Sequence, residues 1–240
     1  MIILKLTGAG FVRNRHSLRA LKVCGEILSN DQNVVNPFLT TFKEKVRRQL
    51  NLVANQIYNA DESALYWKKL PEKTLVSSQE KSAHGRKISK ERVTFLACCN
   101  ADGSHKLKML MIGKAINPRA FKNADIPVEY KSPANAWITT KIFTDWFHQS
   151  FIPQTRRHLR SHNLSEKALL IMVNASSHGT VEELTSEDGR ITTLLLPPNC
   201  TALMQPMDQN AIRLIKLFYR KSLLAHILSN NERCYVGKNS

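Results

Sequence analysis

The sequence predicts an α/β protein in which a mixed β-sheet is flanked by helices. Residues 168–173 form a continuous apolar run, which is typical of a central strand that is buried on both faces. Residues 93–100 and 108–113 are rich in strand formers and are separated by a turn-forming segment, which predicts a hairpin. Residues 142–151 and 209–228 place apolar side chains on one helical face. Such helices are expected to cover the sheet.

Length and charge favour a nucleic-acid partner. The chain has 240 residues, which is enough for one domain with its own core and a short N-terminal extension. Lysine and arginine total 35 against 19 acidic residues, so the formal net charge is +16. Such an excess is typical of proteins that contact phosphates, although a ribosomal-type or merely soluble basic protein is the alternative. No basic amphipathic helix with a wide apolar face is evident, which disfavours a membrane-surface partner.

Cysteine usage and targeting signals predict a soluble intracellular protein. The five cysteines are odd in number and contain no C-x-x-C pair, which disfavours both a zinc site and a disulfide framework. One of the adjacent Cys98 and Cys99 is expected to face the core. Residues 1–6 are too short for a signal peptide, and no segment approaches the roughly 20 apolar residues of a membrane span.

A basic extension is predicted at the beginning of the chain. The spacing of Phe38, Phe42 and Val46 predicts a helix over residues 34–50. Cations in its last turns suit a helix C-terminus and are able to contact DNA, although a solvated charged face explains them equally well. These cations are Lys43, Lys45, Arg47 and Arg48. We therefore predict a short helical basic extension over residues 1–54.

A polar, basic loop is predicted after a short strand at residues 56–61. This loop covers residues 68–92, and we predict that it contacts DNA through five cations: Lys81, Arg86, Lys87, Lys90 and Arg92. In the next helix, Thr139 or Thr140 is expected to be the N-cap. Trp137 and Trp146 are expected to be anchors of the core.

The second half of the chain predicts alternating strands and helices. The strand at residues 168–173 is followed by a predicted short helix at residues 181–184 and a strand at residues 191–196, which two prolines end. The last helix is predicted over residues 209–228, with Ile212, Ile215, Phe218 or Tyr219, and Leu223 facing inward. The predicted element order is that of a ribonuclease H-like fold: strand, hairpin, helix, strand, helix, strand and helix. A polar tail is expected over residues 229–240.

Seven short motifs carry a family resemblance. They are Ile57-Tyr58-Asn59-Ala60-Asp61-Glu62, Lys90-Glu91-Arg92-Val93, Cys99-Asn100-Ala101-Asp102-Gly103, Ile112-Gly113-Lys114 with Asn117-Pro118-Arg119, Ala136-Trp137, Leu195-Leu196-Pro197-Pro198-Asn199 and Gln205-Pro206-Met207-Asp208-Gln209. In this order they resemble the DDE endonuclease domain of the pogo/Tigger transposases and their domesticated Jerky and centromere protein B relatives, over residues 55–228. Residues 13–29 resemble the segment after that family's helix-turn-helix DNA-binding unit. The resemblance thus implies that the extension is the remnant of a region whose sequence-reading module has been lost.

The resemblance implies a two-metal site. Active members of the family hold two divalent ions, Mg²⁺ or Mn²⁺, with three acidic residues and use them for in-line displacement at phosphorus. Carried over by motif, Asp61 is the first ligand and Asp208 the third. Val173 stands at the second position, where the family pattern reads Asp-Asn and this chain reads Val173-Asn174. Asn174 is expected to point to the opposite side of the strand. We therefore expect a degenerate site with no bound metal.

Each candidate residue also has a purely structural explanation. Asp61 would otherwise be a turn or capping residue, and Asp208 an ordinary N-cap of the last helix. Glu62 is expected to be structural. His178 is expected to lie on the surface, and a polar group left near the site is the alternative. Glu182 and Glu183 follow Val173 too late to replace its missing carboxylate.

Together these inferences predict a nuclear, transposase-derived DNA-binding protein that is catalytically inactive. Its partner is expected to be double-stranded DNA, contacted mainly at the phosphate backbone. An active metal-dependent endonuclease or transposase is the first alternative. A decayed transposon fragment that serves only as a protein-interaction module is the second.

Overall fold

Six strands and four α-helices follow one another in the residues that the computed structural model describes, which are 32–44, 46, 50–69, 90–133, 137–198 and 204–236. The strands are β1 Ile57–Leu65, β2 Val93–Asn100, β3 Leu110–Ile112, β4 Glu129–Lys131, β5 Ala168–Val173 and β6 Ile191–Leu196. The helices are α1 Gln32–Glu44, α2 Thr140–Trp146, α3 Ile152–Ser161 and α4 Ala211–Val236. A π-helical turn at Phe147–Phe151 joins α2 to α3.

The strands form one mixed sheet in the order β4-β3-β2-β1-β5-β6. β1 runs antiparallel to β2, and β2 runs antiparallel to β3, as the predicted hairpin requires. β1 pairs parallel with β5, and β5 pairs parallel with β6. The predicted mixed α/β class is confirmed. Edge strand β4 was not predicted, because its three residues Glu-Tyr-Lys show no strand pattern and take their strand form from pairing with β3.

One face of the sheet is covered by α2, the π-helical turn and α3. Phe143, Phe147 and Phe151 of these helices are fully buried against the apolar strand residues of this face. Thr139 is the N-cap of α2, because its side chain accepts a hydrogen bond from the backbone N–H of Ile142 at 3.4 Å. Cys98 also faces this core. The predictions of the cap and of a core-facing cysteine are confirmed.

The two tryptophans differ in environment. Trp146 is a core anchor, as predicted. The same prediction is wrong for Trp137, whose surface is 54% exposed. Trp137 precedes the Thr139 cap and therefore lies outside the helix that covers the sheet.

The opposite face is covered by α1 and α4. Phe38 and Phe42 of α1 stack at 6.1 Å between ring centroids and pack on Leu169 and Ile171 of β5. α4 packs its first turns against β1 and β2, through Ile212, Ile215 and Tyr219. The sheet is therefore covered by helices on both faces, as the predicted ribonuclease H-like architecture requires.

Both outer helices differ from the prediction at their boundaries, and one predicted short helix does not form. α1 begins at Gln32, two residues before the predicted start, and covers Gln32–Glu44; residues 46 and 50 are also helical, while the cations Lys45, Arg47 and Arg48 lie outside the described residues. The predicted helix at residues 181–184 is wrong, because a single hydrogen-bonded turn there is followed at once by the reversal into β6. α4 begins at Ala211, since Asn210 has a φ of 80° that cannot continue a right-handed helix.

α4 ends at Val236, beyond the predicted residue 228. A helix of 26 residues is long enough to cross a bilayer. Its charged residues make it too polar to do so, and none of the helices in the described ranges qualifies as a membrane span.

Candidate carboxylate site and its surroundings

Asp61 lies on β1, on the face of the sheet that α1 and α4 cover. The parallel pairing of β1 and β5 matches Ile57 with Leu169 and Asn59 with Ile171. Two residues further along both strands, the same register brings Asp61 level with Val173. Because side chains alternate along a strand, both residues point to the same face. Position 173 is thus where a second carboxylate would face the first.

A buried amide network fixes the turn that carries Asp208. Asn59 Nδ2 donates to the backbone oxygen of Ile171 at 2.8 Å and to Gln205 Oε1 at 2.6 Å. Asn59 Oδ1 accepts from the backbone N–H of Met207 at 2.9 Å, and Gln205 Nε2 donates to the oxygen of Ala60 at 3.1 Å. These bonds hold the 3₁₀ turn Pro206–Asp208 against β1, close to Asp61.

Asp61 is influenced by its burial and by the charge of Asp208. Burial, followed by the charges of Asp208 and Glu62, raises the pKa of Asp61 to about 7, while a hydrogen bond from Gln205 opposes this rise. Both carboxylates also act on Lys216 of α4: burial and Arg220 lower the pKa of Lys216, whereas Asp208 and Asp61 work in the opposite direction. The pair is therefore within electrostatic reach of an ammonium group of the chain itself.

Val173, which the resemblance aligns with the second acidic position, has apolar packing. It is half-buried and packs with the cluster that contains Ile171, Leu196 and Met204. Asn174 beside it is exposed, and the carboxylate of Glu183 accepts a hydrogen bond from the backbone N–H of Thr180 at 2.9 Å. Neither side chain replaces the missing carboxylate.

These residues do not fit the two-metal site that the resemblance implies. Mg²⁺ and Mn²⁺ require several hard oxygen ligands that converge on the ions. Asp61 and Asp208 provide two carboxylates, and a valine stands where the third is needed. Over the described ranges, no group of three His, Cys, Asp or Glu side chains is placed to hold a metal ion.

Buried His178 and half-buried Glu62 form a pair on the opposite face of β1. His178 is 1% exposed, so the prediction of a surface histidine is wrong. Its Nε2 lies 2.8 Å from Glu62 Oε1, and its Nδ1 donates to the backbone oxygen of Val173 at 2.9 Å. Burial lowers the pKa of His178, but the Glu62 carboxylate and the Val173 carbonyl outweigh it and raise the pKa overall. The His178 ring thus ties β1 to the end of β5 through contacts to Glu62 and Val173.

The sequence contains a signal for this pair that the prediction did not use. Glu62 follows Asp61 directly, so strand alternation must send its side chain to the face that α2 covers. A carboxylate on that face needs a hydrogen-bond partner, and His178 provides one for Oε1. Among the described residues, the other oxygen, Oε2, has no hydrogen bond. The ring of Phe143 lies 4.6 Å from that of His178, which places the histidine in the core of this face.

Two of the five predicted DNA-binding cations lie in the described residues. Lys90 is exposed, and the guanidinium of Arg92 lies 4.4 Å from the centre of the Trp137 ring. Lys81, Arg86 and Lys87 lie outside the described residues.

Sequence comparisons relate the chain to known proteins. Residues 90–236, more than half of the chain, match the family model described as DDE superfamily endonuclease. The chain is 39% identical to human "Tigger transposable element-derived protein 7" over 215 residues, covering 87% of this chain and 39% of that protein. It is 40% identical to the human "Jerky protein homolog" over 202 residues, covering 83% of this chain and 35% of that protein. "CENP-B homolog protein 2" of Schizosaccharomyces pombe is 29% identical over 232 residues, covering 91% of this chain and 41% of that protein.

Solved structures support the same fold. The Mos1 mariner paired end complex with Mn matches 88% of this chain and 56% of that chain, with a TM-score of 0.56 and 11% identity. The paired end complex with Mg gives a TM-score of 0.57 at 12% identity, over 88% of this chain and 56% of that chain. At such low identity these likenesses show the ribonuclease H-like fold alone. The chain spans about two fifths of the curated relatives it matches. The family resemblance is confirmed: the chain belongs to the DDE superfamily endonucleases, with relatives among Tigger-derived, Jerky and CENP-B homologues.

Proposed function

We propose that this transposase-derived domain binds double-stranded DNA in the nucleus and does not cleave it. The observation that carries the loss of cleavage is the side chain of Val173, which lies two residues beyond the Asn59–Ile171 pair on β5, as Asp61 does on β1, and packs with apolar neighbours. A displacement at phosphorus needs ions held by more carboxylates than this site offers. Mg²⁺ or Mn²⁺ is the cofactor expected of the family, and we propose that neither occupies this site, where only Asp61 and Asp208 would be ligands.

The charge of the chain supports the binding half of the proposal. A net charge of +16 favours contact with phosphates, and exposed Lys90 together with Arg92 belongs to the loop that we propose as part of the DNA surface. Among the structural neighbours is a complex of Mos1 transposase with its left transposon end. We also propose residues 55–228 as the endonuclease-like domain, preceded by the basic extension of residues 1–54 and followed by residues 229–240.

Two measurements on the unaltered protein test the proposal. Incubation of plasmid DNA with Mg²⁺ or Mn²⁺ is expected to give no nicks. Titration of two unrelated labelled duplexes at several salt concentrations is expected to give similar affinities that fall as salt rises. Strand cleavage that Asp61→Asn abolishes would overturn the inactive half, and absence of duplex binding at low salt would overturn the binding half.

A further inference from the structure

A large groove lies on the same face of the sheet as Asp61 and Asp208, at the edge formed by β3 and β4. Its floor is the sheet itself, with Val93, Met111 and Tyr130. Trp67 and Trp137 form part of its walls. The volume is about 1610 Å³, which exceeds the range of about 300–1000 Å³ that is usual for small-molecule sites. Its size favours an extended polymer as the occupant.

The charge of the groove favours an anionic polymer. Among the described residues, Lys69, Lys90, Arg92 and Lys114 line it, against a single acidic residue, Glu91. The carboxylate of Glu91 is engaged by Lys68 at 2.9 Å, which reduces its effect on an incoming anion. The groove therefore presents a net positive charge.

Exposed aromatic rings give the groove a second property. Trp137 is 54% exposed and Trp67 is 37% exposed, although each ring has a cation at 4.4 Å from its centre. Neither indole belongs to an apolar core cluster among the described residues. Large aromatic surfaces beside cations are the combination that binds single-stranded nucleic acid, since bases stack on the rings while cations follow the backbone. A duplex keeps its bases stacked inside and cannot use these rings.

The groove and the carboxylate site share two elements, β1 and α4, on the same face of the sheet. Leu65, which lines the groove, lies four residues after Asp61 on β1, a distance of about 13 Å. Tyr219 of α4 also lines it and donates a hydrogen bond to the backbone oxygen of Trp67 at 2.9 Å. Lys216, one turn earlier on α4, lies within the electrostatic influence of Asp61. The groove and the remnant site are therefore built on the same strand and the same helix.

We propose that this groove binds the unpaired bases of a single DNA strand, with Trp137 and Trp67 as stacking surfaces and Arg92 and Lys90 as phosphate contacts. This inference rests on the proposed function, because it assumes that DNA is the partner. It adds a binding mode that phosphate contact with a duplex does not include.

The test compares an oligothymidine of about twelve nucleotides, which is within the site sizes of single-strand binders, with a duplex of random sequence. Trp137→Ala is expected to weaken oligothymidine binding roughly ten-fold and duplex binding less than about two-fold, because loss of one stacked base costs about 1.4 kcal/mol. Trp137→Phe keeps a ring and is expected to retain most of the affinity, with reduced tryptophan quenching. Phe218→Ala is the matched control, since Phe218 is 61% exposed on α4 and does not line the groove.

The outcomes separate this inference from the proposed function. Unchanged oligothymidine affinity in a well-folded Trp137→Ala protein would overturn the inference, as would equal losses for oligothymidine and duplex. Displacement of the oligonucleotide by polyglutamate of matched charge would also overturn it and assign the groove to an acidic peptide. Duplex binding without oligothymidine binding refutes the inference and leaves the proposed function standing. The reverse result supports the inference and refutes duplex binding.

Discussion

The carboxylate site and the groove on the same face differ in which of their side chains are present for folding and which are available for binding. Around Asp61 the hydrogen-bond scaffold is complete, with Asn59 and Gln205 buried and fully engaged, whereas the side chain at position 173 offers no ligand. In the groove, the side chains that could bind a ligand are present but contribute little to folding, because Trp137 and Arg92 contact each other at an exposed edge and add little to the core. Amides that hold strands together are needed for folding whether or not chemistry occurs. Exposed rings and cations are not needed for folding, so their presence is more direct evidence of binding.

The largest effect is expected from breaking the scaffold. Asn59→Ala removes three buried hydrogen bonds and leaves the backbone N–H of Met207 without its partner. We expect a loss of about 2–4 kcal/mol in the free energy of unfolding, measured by urea melts. Asn174→Ala is the control, since Asn174 is exposed and is expected to cost less than about 0.5 kcal/mol. A loss of similar size in both variants would show that the network does not stabilise the fold.

Neutralising the basic loop tests whether the DNA surface is separate from the remnant site. Changing Lys81, Arg86, Lys87 and Lys90 together to glutamine is expected to weaken the binding of unrelated duplexes about equally. The slope of log affinity against log salt should flatten by roughly one unit for each phosphate that the protein no longer neutralises. Lys167→Gln is a control for charge, because Lys167 is exposed just before β5, at the end of the sheet away from Val173. An unchanged slope would move the DNA surface elsewhere, first to the basic residues 13–48.

Val173→Asp sharpens the comparison by placing a carboxylate at the proposed second acidic position. Without metal, the new charge faces Asp61 and interrupts apolar packing, so the variant is expected to be less stable by about 1 kcal/mol in denaturant melts. Magnesium should narrow that difference in stability, because it should bind the folded state of the Val173→Asp variant but not the unaltered protein. If magnesium raises both unfolding midpoints equally, position 173 does not face a metal site, and it is not the second acidic position of the family.

The smallest effect concerns a group of histidines next to Tyr58, whose side chain lies on the opposite face of the sheet from Asp61. Burial, followed by the charges of His158 and His162, lowers the pKa of His105 to about 4. Tyr58 Oη lies 2.9 Å from His105 Nδ1, and Asp102 acts on His158. The folded-state pKa of His105 lies below its unfolded value of about 6.5, so the unfolded chain binds the proton more tightly. The stability that His105 contributes is therefore present above pH 6.5 and is lost as pH falls towards 4.

His105→Gln should flatten this loss by roughly 1 kcal/mol at most, since the ring is only half-buried and water screens its neighbours. Urea melts between pH 7 and 4.5, with exposed His226→Gln as the matched control, measure the difference. If the free energy of unfolding changes equally with pH in the unaltered protein and in His105→Gln, His105 is not the cause of the loss of stability at low pH.

Local patterns in the sequence were sufficient for most of the fold. The apolar run of β5 predicted a buried central strand, and the hairpin of β2 and β3 followed from its turn residues. β4 could not be predicted, because three polar residues become a strand only where β3 offers unpaired backbone groups. The helix predicted at residues 181–184 was wrong, because a helix pattern says nothing of how soon the chain must reverse.

By itself, the sequence determined the α/β class, the family and the identity of the side chain at position 173, since these depend on local periodicity and on motifs. Only the tertiary structure decided which side chains meet. It buried His178 against Glu62, left Trp137 exposed, and brought Asp61 level with Val173 and near Asp208. The physical reason is that alternation along a strand fixes the direction of a side chain, whereas its burial and its charge partners are set by elements more than a hundred residues away.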